Sequence, residues 1–409
     1  MIRLFFALFV LLALLGDARI FLFVLNRFVF GSHREEKSPW TWMVLAVPPL
    51  LVVLTLLFWP LNASIGRLLS TDLVERVTPG RFENIAWSRD VATIGAVWLI
   101  IAAVVGLLWI VERIHELTKL ELPLPGVETQ APEVIRLRRA HLPVAFRALG
   151  AHNDLYDLEV THHEIFIDDL PPSFDGYRIA FLTDTHVARF VRRAFYREIA
   201  QQVRAFDPDV LIFGGDFAAW HRDIRLAADV LTSDLAPRDG MYAILGNHDY
   251  WAGADAVKDA FSALGVEFIV NRSVLLRRDG DTLPLVGIDE VYRGDPDPDM
   301  ALTGIDPNAP RIGVSHHPDI INLLDGRRID LLLCGHTHGG QIRFPFFGAV
   351  VVPSRHEGEF ASGFHRVRNV LMYVSRGIGA IPPIRILCRP EVATFTLRSG
   401  KRNALPTDH

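Results

Sequence analysis

Ile329-Asp330-Leu331-Leu332-Leu333-Cys334-Gly335-His336-Thr337-His338-Gly339-Gly340-Gln341 passes from an apolar run directly into a polar cluster. Two histidines two positions apart, set among glycines, let the backbone turn so that both rings face one centre. Four more apolar runs upstream end the same way. Tyr177–Leu182 leads into Thr183-Asp184-Thr185-His186, and Val210–Phe213 into Gly214-Gly215-Asp216. Met241–Leu245 leads into Gly246-Asn247-His248-Asp249, and Arg311–Val314 into Ser315-His316-His317-Pro318-Asp319. Helical patterns fit between some of them, at Arg193–Ala205 and Ala254–Leu264. Short apolar strands alternating with helices predict an α/β sheet covered on both faces. Ligands in such folds gather at the carboxyl ends of strands, so the five clusters are expected in one crevice.

Carboxylate, imidazole and amide oxygen are donors suited to a pair of divalent ions such as Mn²⁺, Fe²⁺ or Zn²⁺. Thiolate is not demanded, which disfavours a structural zinc site. A two-metal centre needs a carboxylate that bridges, and Asp216 is the natural candidate. Each cluster alone is commonplace: a Gly-Asp after a strand is usually a turn, and Asn-His-Asp can be an ordinary capped loop. Their joint occurrence in this order is what carries the reading.

Residues 177–398 resemble the calcineurin-like metallophosphoesterase superfamily. The resemblance is closest to its bacterial membrane-anchored phosphoesterase branch. It rests on Asp184-Thr-His186, Gly215-Asp216, Gly246-Asn247-His248-Asp249, His316 and Gly335-His336-Thr-His338. Ser375-Arg376-Gly377-Ile378-Gly379, Pro383-Ile384-Arg385 and Pro390-Glu391 extend it. The resemblance implies a four-layer α-β-β-α sandwich with a dinuclear centre, Mn²⁺ being the first choice of metal. One ion would take Asp184, His186, Asp216 and His338, and the other Asp216, Asn247, His316 and His336. His248 would face the substrate, stabilising charge on the phosphoryl group or protonating the leaving oxygen, a role open to an imidazole near neutral pH. Asp249 either orients His248 or caps a helix. Register with the family favours His316 over His317. Arg376 is left between reaching a phosphate and pairing with an acid. His162, His163, His221, His356 and His365 are read as solvated or structural.

The first third of the chain has a different texture. Thr41–Leu61 and Val91–Val111 are each 21 residues without a charge. At about 1.5 Å per residue, each crosses a hydrocarbon core of roughly 30 Å. Met1–Phe30 is apolar but carries Asp17 and Arg19, and is either one long tilted span or, in its first half, a signal peptide. The expectation is a bundle of about three transmembrane helices (about 3–30, 41–61 and 91–111), with Asp17 and Arg19 facing the bundle or each other. A linker over 116–150 and the catalytic domain over 151–400 follow. Six of eight tryptophans lie in this third, most near span ends, as an interfacial belt would. Arg136, Arg138 and Arg139 tip the orientation toward a cytoplasmic catalytic domain on a bacterial inner membrane.

Among 409 residues, half are hydrophobic and 22% charged, which excludes a disordered chain. A net charge of −5 gives no reason to expect nucleic acid. Two cysteines, Cys334 and Cys388, cannot build a disulfide framework and read as buried thiols. The expected partners are the bilayer and a phosphorylated small molecule or lipid. The leading expectation is attack by a metal-bridging hydroxide on a phosphodiester or pyrophosphate. A lipid-linked substrate such as UDP-2,3-diacylglucosamine follows from the resemblance. The alternatives are a tethered enzyme acting on soluble nucleotides or phosphoproteins, and a non-catalytic scaffold of the same fold. The presence of every ligand and of His248 counts against the scaffold.

Overall fold

In the strand Arg178–Leu182 (β4), Ile179 and Phe181 enter one apolar cluster while Ala180 and Leu182 enter another. In Leu331–Cys334 (β11), Leu331 and Leu333 face the first of these clusters, and Leu332 and Cys334 face a third. Side chains alternate with period two, so a strand covered on both faces must be apolar throughout. That is why these strands read as continuous runs rather than alternating ones. They come from a computed structural model that describes residues 2–24, 89–118, 124–136, 153–189, 191–349 and 351–400. The chain divides into two compact units, Met1–Glu121 and Leu122–His409.

The second unit holds two mixed sheets and a small antiparallel ribbon of β12 (Arg343–Phe344) with β13 (Gly348–Ala349). The first runs β1 (Val127–Thr129), β3 (Asp157–Ile167), β16 (Glu391–Ser399), β4, β5 (Val210–Phe213), β6 (Met241–Ala243), β7 (Val266–Phe268), with β2 (Glu133–Arg136) also paired to β3. The second runs β14 (Gly363–Val367), β15 (Val370–Val374), β11, β10 (Ile312–Val314), β9 (Asp281–Gly287), β8 (Arg272–Arg278). Strands β4 to β7 are mutually parallel, as are β9, β10, β11 and β15. Parallel alignment brings the carboxyl ends of each set to one edge.

Phe181, Ile212 and Phe395 of the first sheet share a cluster with Leu285, Val314 and Leu333 of the second. This is the central core. Helices Arg193–Phe206, Ile224–Thr232 and Ala254–Ser262 cover the outer face of the first sheet. On the outer face of the second sheet, the short turns Pro298–Ala301 and Pro318–Leu323 contribute Ala301, Ile320 and Ile321. The four layers are thus helices, sheet, sheet and short helical turns, the last thinner than expected. Strands β1 and β2 fall inside the stretch expected as a linker, and both pair antiparallel with β3. Their weak signal has a simple cause: three- and four-residue edge strands with half-exposed side chains carry almost no apolar periodicity.

In the first unit, helices Ile2–Val24 and Arg89–Thr118 pack closely through Ala13, Ala102 and Ala103. Gly16 lies against the Ala102 carbonyl and Gly106 against that of Leu12, so a side chain at either glycine would collide with backbone. Small residues at a helix crossing permit such close approach. Asp17 accepts a hydrogen bond from Trp98 Nε1 at 3.0 Å, and Arg19 reaches Glu112 at 4.0 Å. Both charges therefore face the neighbouring helix. Among the described residues, Val97–His115 is the one segment long and apolar enough to cross a bilayer. The expected span at 41–61 lies outside the described residues.

Arg376 is resolved as an acid-pairing residue. It bonds Glu159 at 2.8 Å and Glu391 at 3.0 Å, and Glu391 also accepts from Thr161, Tyr373 and Ser375. Removing one partner of a buried pair strands the other charge, at a cost of about 3–5 kcal/mol. Arg376→Leu should therefore lower the thermal unfolding midpoint of the full chain markedly. Arg398→Ala breaks a half-buried pair with Glu164 at the protein surface and should change stability by about 1 kcal/mol or less. Equal midpoints for the two variants would contradict this account.

Candidate metal centre

Thr183 follows β4, Gly214 follows β5, Ser315 follows β10 and Gly335 follows β11, so four of the polar clusters leave adjacent parallel strand ends. The fifth, Asn247–Ala252, is a helix that starts shortly after β6. Asp184, His186, Asp216, His316, His336 and His338 converge there in three overlapping groups, one of which includes His248. Asp216 Oδ2 lies 3.5 Å from His186 Nε2 on one side and 3.4 Å from His316 Nε2 on the other. Asp184 Oδ1 lies 3.4 Å from His338 Nε2 and 3.9 Å from His316 Nε2. Asn247 Oδ1 is 3.2 Å from His316 Nε2.

The imidazole nitrogens themselves crowd together, His186 to His338 at 3.1 Å and His336 to His316 at 3.2 Å. Donors about 3.3 Å apart are what a small cation with bonds near 2.0–2.1 Å gathers in a tetrahedral arrangement. The donor set thus fits divalent metal, and Asp216 sits where both groups can share it. Metal identity is not distinguished by these donors.

The backbone around the centre is unusual. Asp184, His186, Asp216, His336 and His338 all have positive φ, between 38° and 70°. Each such non-glycine residue costs on the order of 1–3 kcal/mol and persists only where its surroundings enforce it. Here hydrogen bonds do so. His336 N donates to both Asp184 oxygens at 2.9 and 3.1 Å, Thr183 Oγ1 to Asp184 Oδ2 at 2.8 Å, and His248 N to Asp216 Oδ1 at 2.8 Å. The glycines serve close approach more than turning. A Cβ on Gly335 would enter the Asp184 carboxylate, and one on Gly246 that of Asp216.

Of the two roles expected for Asp249, orienting His248 does not match its contacts, whereas capping does, at the head of the helix Asn247–Ala252. Its fully buried carboxylate accepts from the backbone amides of Asp216 at 2.7 Å, Gly246 at 2.9 Å and Phe217 at 3.0 Å. It ties the Gly-Asp loop to the Gly-Asn-His-Asp loop and so positions Asp216. Burial and the Asp216 charge push its pKa up to about 7.

The two adjacent histidines separate cleanly. His316 Nδ1 donates to Gly214 O at 2.7 Å, leaving Nε2 for the centre. His317 Nε2 donates to Pro353 O and its Nδ1 accepts from Asp319 N, so both nitrogens are used elsewhere. Among the histidines read as structural, His162 bonds Thr394 and His163 bonds Thr129.

Arg385 was quoted in the sequence without a role. It is fully buried, donates to the carbonyls of Gly379 and Arg376, and lies 3.3 Å from His338 Nδ1. Burial and this guanidinium hold His338 down at about 3, and burial holds His186 and His336 below the ordinary range. Neutral imidazoles are the ligand form. His316 differs: burial opposes its charge, but Asp216 and Asp184 outweigh it and raise the pKa to about 10.

Residues 177–340 match the calcineurin-like phosphoesterase family. The chain carries a calcineurin-like metallophosphoesterase domain. The chain is 29% identical to phosphodiesterase YaeI of Escherichia coli over 246 residues, covering 58% of this chain and 88% of that protein. It is 31% identical to a transmembrane protein with metallophosphoesterase domain of Danio rerio over 267 residues, 61% of this chain and 60% of that one. It is 28% identical to UDP-2,3-diacylglucosamine pyrophosphatase LpxG of Chlamydia muridarum over 283 residues, 54% of this chain and 85% of that one. The metallophosphoesterase is a hydrolase.

Two outcomes are expected. In metal-free protein the raised His316 pKa means that metal uptake displaces a proton. Apparent Mn²⁺ affinity should then rise about tenfold per pH unit from pH 6 to 8. Titration of the full chain at three pH values checks this, and a flat profile would contradict it. Asp249→Asn puts a donor against backbone donors and should weaken metal affinity about 10–100-fold without removing a ligand. Calorimetric titration with Mn²⁺ reads that loss directly.

Proposed function

We propose that the chain is a membrane-anchored phosphoesterase that hydrolyses a phosphodiester or pyrophosphate using a dinuclear centre. The ions would be held by Asp184, His186, Asp216 and His338 on one side and by Asp216, Asn247, His316 and His336 on the other. The observation that carries this reading is the placement of Asp216 between two imidazole groups, with a half-buried His248 beside them. Metal bound there would supply Lewis acidity at the phosphoryl oxygens and lower the pKa of water toward neutrality.

The chain's own groups do the rest. The His248 ring lies edge-on to His186, with centroids 4.7 Å apart, and its backbone N–H is committed to Asp216. The imidazole is therefore held at the rim of the centre. From there it donates a proton to the departing oxygen. The buried Asp184 and Asp216 carboxylates draw cations inward, and burial together with Arg385 keeps the His338 ring neutral.

The similarity to LpxG favours a lipid-linked pyrophosphate such as UDP-2,3-diacylglucosamine, and the apolar N-terminal segments support a location at the bilayer where such a lipid resides. We read the anchor as multi-pass in a bacterial inner membrane, with the catalytic domain cytoplasmic. The test is hydrolysis of bis-p-nitrophenyl phosphate by the full chain in detergent with Mn²⁺. His248→Ala should lower kcat by about 10²–10⁴-fold while bound metal stays constant. Loss of metal together with activity would make His248 a ligand instead. Rapid turnover of soluble cyclic nucleotides, with no lipid pyrophosphate turned over, would replace the lipid-linked substrate with a soluble one.

A further inference from the structure

The helix Asn247–Ala252 that presents His248 also carries Trp251. The indole lies edge-on to the His248 ring, centroids 4.5 Å apart, and is 57% exposed. One exposed aromatic needs no explanation by itself. Here the guanidinium of Arg293 stands 5.4 Å over the indole. Arg293 is exposed, and among the described residues it forms no ion pair. An unpaired cation laid on an open tryptophan beside the candidate proton donor is a composite surface.

The surface is built on fixed supports. Tyr250 Oη donates to Asp289 Oδ1 at 2.6 Å, tying the His248 helix to the loop that carries Arg293. Asp289 also accepts from the amides of Glu290 at 2.8 Å and Asp295 at 2.9 Å. Glu290, fully buried, accepts from the amides of Tyr292 at 2.8 Å and Arg293 at 2.5 Å. A Cβ on Gly294 would press into the Asp289 carboxylate. The loop backbone is thus pinned, while the Arg293 side chain on it and the Trp251 side chain on the helix stay exposed.

The succession His186, His248, Trp251, Arg293 leads outward in steps of 4.7, 4.5 and 5.4 Å. A group departing on the His248 side of the centre would pass across the indole and end at the guanidinium. An indole face takes a flat ring by stacking, and a guanidinium takes phosphate oxygens. A nucleoside monophosphate has both.

We propose that Trp251 and Arg293 form a leaving-group subsite for a nucleoside monophosphate. The proposal rests on the hydrolytic reading of the same centre. In that reaction water adds its hydroxyl to the scissile phosphorus and releases its other proton to solvent. The P–O bond to the bridging oxygen breaks, and the electron pair leaves on the nucleoside monophosphate, whose oxygen takes the His248 proton.

The test uses the full chain in detergent, loaded with Mn²⁺, with UMP, ribose 5-phosphate and inorganic phosphate as inhibitors of phosphodiester hydrolysis. UMP should inhibit about tenfold more strongly than ribose 5-phosphate. Trp251→Ala should erase that difference. Arg293→Ala should weaken UMP while leaving inhibition by inorganic phosphate unchanged, and Arg293→Lys should restore part of the loss. Equal inhibition by UMP and ribose 5-phosphate in the wild type, or a difference that survives Trp251→Ala, would overturn the subsite. Calorimetry with the same compounds reads binding without turnover. A wild type that hydrolyses no phosphoester, yet binds UMP over ribose 5-phosphate in a Trp251-dependent way, would overturn the hydrolytic reading and uphold the subsite.

Discussion

Two carboxylates buried in one place repel each other and lose their hydration, and that cost organises this molecule. Asp184 and Asp216 are at most 1% exposed, and both lie within 3.9 Å of His316. Without a compensating cation such a pair would not stay ionised. In the metal-free state the compensation falls to a proton on His316, raised in pKa by both acids. The other imidazoles cannot share that duty, because burial keeps His186, His336 and His338 neutral. The centre is therefore a set of neutral and anionic donors in which His316 holds an exchangeable proton, which is the electrostatic condition for taking up divalent metal.

The fold meets that condition by over-determining a strained backbone. Five of the converging residues sit in left-handed conformations that side chains disfavour. The strain is held in place by amide donors on the carboxylates and by Asp249, whose two oxygens clamp three amides of two different loops. Beneath them the parallel strands are apolar on both faces and do not yield. Behind β15, the Arg376–Glu391–Glu159 cluster ties β15, β16 and β3 together. Rigidity below and strain above place reactive groups at a sheet edge without letting them relax.

Much of the site was legible because it is local. A strand that ends in Gly-Asp or Gly-His-Thr-His places its polar residues at the strand's carboxyl end whatever the rest of the chain does. The five runs at Tyr177, Val210, Met241, Arg311 and Ile329 all became strands within two residues of their expected limits. Other features were not legible because they join distant positions. Asp249 looks like a partner for its neighbour His248 and instead serves Asp216, 33 residues away. Trp251 and Arg293 belong to separate segments and meet only because Tyr250 bonds Asp289. Strands β1 and β2 were hidden in a proline-containing stretch whose pairing is set by β3.

The sequence by itself determined the α/β architecture, the residues that converge at the candidate metal centre and the presence of an apolar N-terminal third. Each of these depends on residue type and short-range periodicity, which one strand or one loop displays completely. Only the tertiary structure decided that His316 rather than His317 turns inward, that Arg376 neutralises buried acids, and that the glycines make room for carboxylates. Those outcomes depend on which atoms from remote segments fill a given volume. Close packing and charge compensation are properties of that volume, and no stretch of sequence contains it.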